Sequence, residues 1–127
     1  MGSETRSYQI NSLDLLATAL SESEQKIDLL LQEIVKLQLA GMVDASEWWK
    51  DGKYLYLVHP TASDGRRLRE YIGSDPEAVE AARARVARYK RWVELKASVR
   101  DLRDKDQKAR VAIDHALWLL NSVQRKL

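Results

Sequence analysis

The sequence predicts a mainly α-helical protein with one β-hairpin: an N-terminal leucine-rich helix, a two-stranded hairpin and a long C-terminal helix, with coiled-coil-like packing. Three observations carry this prediction. Five Gly and two Pro in 127 residues are too few for the turns of an all-β fold. Apolar residues recur at spacings of three and four at both ends of the chain. Between them, residues 53–59 alternate with period two next to Asp-Gly turn signals. The length suits a single domain over residues 1–127, and 45% hydrophobic with 31% charged residues is the composition of an ordered chain.

Residues 1–11 show no periodicity and read as a flexible N-terminus. Leu13, Leu16, Leu20, Ile27, Leu30, Ile34 and Leu37 then form a heptad seam, interrupted only by Ser23. Ser12 is placed as an N-cap and Gly41 where a left-handed C-terminal residue belongs, so a helix is expected over 12–40. Leu15, Leu29, Leu31, Val35 and Leu39 widen the seam, which calls for cover on more than one side.

A hairpin is expected over residues 50–73. Lys53 to His59 form one strand, Pro60 to Gly65 a loop, and Arg66 to Ile72 the second strand. Leu55 and Leu57 would meet Leu68 and Ile72 on an apolar side; Tyr54, Tyr56 and Val58 would share the other with Arg67, Arg69 and Tyr71. An isolated hairpin is marginal in water, so the apolar side needs a helix or another copy of the hairpin beneath it. Ser74-Asp75-Pro76-Glu77 is a strong helix start, and the helix is expected over 75–127. At 1.5 Å per residue it would span about 75 Å as one rod, or fold back near residue 105.

Absence of Cys excludes disulfides, thiolate metal sites and a Cys nucleophile. No window is apolar enough to cross a membrane and the first residues carry no apolar signal region, so a cytoplasmic protein is expected, with no membrane partner. His59 and His115 are the only histidines, no nucleophile motif is present, and the five Gly are scattered. No enzyme, metal or cofactor is expected. The net charge of +2 divides unevenly: residues 1–47 carry eight acidic and three basic side chains, residues 83–110 eleven basic and four acidic. Either an acidic helix packs beside a basic helix of the same chain, or the basic surface meets phosphate. The first reading leads.

The candidate binding residues are Trp48, Trp49, Lys50, Lys53, Tyr54, Tyr56, Arg66, Arg67, Arg69 and Tyr71 on the hairpin, with Arg83, Arg88 and Arg91 on the long helix. Guanidinium groups pair with phosphate oxygens and aromatic faces stack on bases, and a two-stranded ribbon fits the major groove. The competing reading puts the tyrosines in the core, since a chain without Phe must take its aromatic packing from four Trp and five Tyr. Adjacent Trp48 and Trp49 point to opposite sides of a strand, so one of them is exposed.

The order of Gly41, Gly52-Lys53-Tyr54-Leu55-Tyr56-Leu57, Asp64-Gly65-Arg66-Arg67, Glu70-Tyr71-Ile72-Gly73 and Val86-Ala87-Arg88-Tyr89-Lys90-Arg91 resembles that of the small helix, β-hairpin, helix proteins encoded beside transposases and in phage or other mobile elements. The resemblance covers roughly residues 13–102 and implies a mobile-element or phage accessory setting. Many of those relatives carry a Cys- and His-containing knuckle before the hairpin. Here Asp44 to Gly52 has Trp48-Trp49 and no Cys, so no zinc role carries over.

The leading expectation is a homo-oligomeric, preferably dimeric, DNA-binding or more broadly nucleic-acid-binding accessory or regulatory protein. The alternatives are a module that inhibits or recruits a host protein through its exposed aromatics, and a binder of small anionic nucleotides at a subunit interface.

Overall fold

A computed structural model describes residues 12–126; the expected flexible N-terminus, 1–11, lies outside the described residues. The elements are α1 (Ser12–Ala40), β1 (Ser46–Lys50), β2 (Tyr54–Val58), β3 (Arg69–Gly73) and α2 (Pro76–Lys126). The mainly helical class with a small hairpin stands. Two details differ from expectation: β1 adds a third strand to the hairpin, and β3 starts three residues later than its sequence pattern. No turn interrupts α2 near residue 105. The chain divides into two compact units, Gln32–Lys96 and Met1–Leu31 with Ala97–Leu127.

The unit of residues 32–96 holds the sheet. Its strands run antiparallel in the order β1-β2-β3. Asp51 and Gly52 both take positive φ and Lys53 N donates to Lys50 O at 3.1 Å, so Asp-Gly closes a tight hairpin between β1 and β2. A longer connection joins β2 to β3. Within it Gly65 N donates to Ala62 O, Ala62 N to Arg66 O, and Arg66 N to the Asp64 carboxylate. The turn spans Ala62 to Arg66 and β3 begins only at Arg69; Leu68, whose carbonyl accepts from His59 N at 2.9 Å, is 68% exposed rather than on the apolar side.

The core forms where the inner sheet face meets α2. Leu55 and Leu57, both 0% exposed, pack with Val43, Ala82 and Val86, bordered by Ala45, Trp49, Ile72 and Val79. The helix start has the expected form: Asp75 Oδ2 accepts from Ala78 N at 3.2 Å, with Pro76 at the first helical position. Gly41 ends α1 in the left-handed region, its N–H shared between Leu37 O and Gln38 O.

The other unit, described over residues 12–31 and 97–126, contains the remaining lengths of both helices. Ile27 and Val99 are buried there, and Leu20, Leu30, Leu102, Ala109 and Ile113 are half-buried. Arg110 donates to Asp106 Oδ2 at 2.9 Å and also to Glu24 of α1, a charged layer joining the two segments. Leu13 and Leu16, the first seam positions, are exposed.

Candidate nucleic-acid interface

The strand register builds the site. Trp48 pairs with Tyr56 and Tyr56 with Tyr71, so one aromatic residue from each strand falls in a single row across the outer face. Ring centroids lie 5.2 Å apart for Trp48 and Tyr56 and 5.0 Å for Tyr56 and Tyr71, each pair tilted by 54°. These separations are within the favourable range for aromatic pairs. The two outer rings stay open to solvent: Trp48 is 42% and Tyr71 59% exposed.

Cations frame the row. The Arg69 guanidinium lies 5.2 Å from the Trp48 ring centre, and Lys53 Nζ lies 5.5 Å from that of Tyr54. Lys50 pairs across the strands with Tyr54 and shares the outer face by alternation. Arg66 stands 3.9 Å from Asp64 at an exposed turn. Arg67 lines a hollow of about 180 Å³ with Asp44, Ala45, Ser46, Val58, His59 and Pro60. Among the described residues neither Lys50 nor Arg67 has an acidic partner within salt-bridge distance. Thus Trp48, Tyr54, Tyr56, Arg69, Tyr71 and Lys50 share a face, with Lys53 and Arg67 at the turn and the connection.

The remaining candidates serve the fold. Trp49 points inward, borders the core, and donates from Nε1 to Glu47 Oε2 at 3.4 Å. Arg83 grips Glu47 with two bonds, of 2.8 and 3.2 Å, and lies 5.6 Å from the Trp49 ring centre. That bond is the main reason the Glu47 carboxyl sits below its usual range; desolvation opposes it, and the Trp49 bond and nearby positive charge assist. Arg91 grips Glu33 of α1 at 3.0 and 3.4 Å. Arg88 Nε donates to Gly41 O at 2.5 Å and its Nη2 to Ala40 O at 3.3 Å. Because α1 has no basic residue in its last turn, Arg88 supplies from α2 the cation its C-terminal carbonyls favour.

Within this unit Arg83 is neutralised by Glu47 of β1 and Arg91 by Glu33 of α1, so one ion pair joins the two helices and the other ties α2 to the sheet. Arg85 belongs to the same set, donating to Glu70 Oε1 at 3.0 Å. Burial raises the Tyr89 hydroxyl above its usual range, assisted by the negative charge of Asp44 and their hydrogen bond. Among the described residues no three His, Asp or Glu side chains are grouped to hold a metal. Among the described residues no helix is long and apolar enough to cross a membrane.

Compared with known proteins, the chain matches no family model, no curated protein and no solved structure.

Proposed function

We propose that this protein is a non-enzymatic nucleic-acid-binding accessory or regulatory factor, of the mobile-element kind its sequence resembles, and that its open sheet face takes single-stranded nucleic acid. The observation that carries the proposal is the row Trp48, Tyr56 and Tyr71 with Arg69, Lys50 and Lys53 around it. Aromatic faces stack on bases of any sequence while surrounding cations follow the phosphates, the arrangement used by sequence-tolerant single-strand binders. Duplex is the weaker candidate. Three strands span about 10 Å between their outer backbones before side chains are added, which fills the ~12 Å major groove that a two-stranded ribbon enters.

The test is a titration with single-stranded oligothymidine and with duplex of equal length, read by tryptophan fluorescence at several salt concentrations. Single strand should bind more tightly and quench emission. Four cations, Lys50, Lys53, Arg67 and Arg69, would give a log–log salt slope of roughly −3 at ~0.7 per phosphate contact. Trp48→Ala or Tyr71→Ala should each weaken binding by about 5- to 150-fold, corresponding to ~1–3 kcal/mol per stacked base. No binding at low salt, or duplex preferred over single strand, would sink the proposal. The aromatic row would then belong to a protein partner.

A further inference from the structure

The helical segments 12–31 and 97–123 expose more apolar surface than their own contact hides. Leu117, Trp118, Leu119, Leu120 and Val123 are 47–63% exposed, and Leu13, Leu15 and Leu16 are exposed as well. From Val111 to Val123 apolar side chains point to every side of α2, interrupted by Asp114, His115, Asn121 and Ser122. A helix that is apolar all round is normally covered all round. Counted from the Glu24–Arg110 contact, Leu13 and Leu16 lie eleven and eight residues back along α1. Leu117 and Leu120 lie seven and ten residues onward along α2. In an antiparallel pair both clusters fall at one end.

We infer that this end is a self-association surface, where two copies of the chain lay their helix pairs side by side, like ends together, as a four-helix bundle. Charge identifies the second copy as the occupant. Residues 12–31 carry four acidic and one basic side chain, a balance of −3; residues 97–123 carry five basic and four acidic, a balance of +1. A bundle in which these segments alternate puts each acidic helix beside a basic helix of the other copy.

Axial position follows from the apolar pattern. Residues 100–108 contain one apolar side chain, Leu102, so a head-to-tail arrangement would press the apolar end of one copy on the charged stretch of the other. Like ends together match apolar with apolar. The eight exposed side chains offer on the order of 800 Å² per copy, the share each partner contributes to a standard interface. The sheet face takes no part, so this inference stands or falls separately from the nucleic-acid proposal.

Sedimentation equilibrium on the full chain at micromolar concentration should give twice the 14.6 kDa chain mass. Trp118→Glu combined with Leu120→Glu should raise the dimer dissociation constant at least about 100-fold while helical circular dichroism is kept. A second measurement does not depend on that variant folding. Val123→Cys, labelled with pyrene in a chain otherwise free of Cys, should give excimer emission when like ends meet. A mass of one chain at every concentration overturns the inference, as does a dimer without excimer. Adsorption of single chains to phosphatidylcholine vesicles through this end would overturn it too.

Discussion

Arg88 separates a structural from a ligand-binding account of the basic helix, because its two contacts are both to backbone. Truncation to Ala removes a short charge-assisted bond to Gly41 O and a longer one to Ala40 O. Hydrogen bonds to charged groups contribute about 1.5–3 kcal/mol, and a cation at a helix C-terminus about 0.3–1 kcal/mol. These describe overlapping parts of one contact, and the 3.3 Å bond adds little, so Arg88→Ala should cost about 2 kcal/mol. With an unfolding entropy of ~2.1 cal/mol/K per residue over the chain, that lowers Tm by roughly 7 °C. Arg88→Lys should recover only part of the loss, since an ammonium cannot span both carbonyls with a planar fork. Thermal unfolding by circular dichroism, run beside the oligonucleotide titration, reads both quantities. If Tm moves by less than about 1 °C while affinity falls about tenfold, the guanidinium serves the ligand and the capping argument is wrong.

Two further outcomes test the packing and the charge network. Leu57→Ala, at a fully buried position, should destabilise by about 2–5 kcal/mol, whereas Leu68→Ala on the exposed connection should stay within about 0.5 kcal/mol; denaturant midpoints that fail to separate them would contradict the strand boundaries. Glu47 is held below the usual carboxylate range, so the unfolded chain takes up its proton first: the stability it contributes is complete above that range and is lost as pH falls through the lowered value. Glu47→Gln should therefore flatten the stability profile below about pH 5, and an unchanged profile would show that Arg83 does not govern this carboxyl.

Local signals made much of the fold legible in the sequence. The heptad spacing, Gly41, and the Asp75-Pro76 start bound the first helix and the beginning of the second to within a residue, because caps and apolar periodicity act over a few positions. The first strand was hidden for a physical reason. Its inward positions are Glu47 and Trp49, so no apolar alternation marks it, and the carboxylate, still open to solvent, is bound by Arg83 from 36 residues away. The aromatic row depends on that strand. Tyr56 and Tyr71 are visible as hairpin partners, but Trp48 joins them only once Asp51-Gly52 is read as a turn between two strands. Arg83, Arg88 and Arg91 look like a phosphate ridge from spacing alone. Their acceptors, Glu47, Gly41 and Glu33, are remote in sequence, and no local pattern connects them.

The order of those acceptors bears on how the sheet unit assembles. As α2 advances from Arg83 to Arg88 to Arg91, the partner recedes along the chain, and the separations grow from 36 to 47 to 58 residues. Closing a 58-residue loop from nothing costs about 0.4 kcal/mol more than closing a 36-residue one, since the entropy rises only with the logarithm of length. Once the sheet has docked and the Glu47 contact is made, each later arginine closes only a small additional loop. The contacts are therefore arranged as a zip that can run outward from the hairpin, with each tooth set in place by the one before.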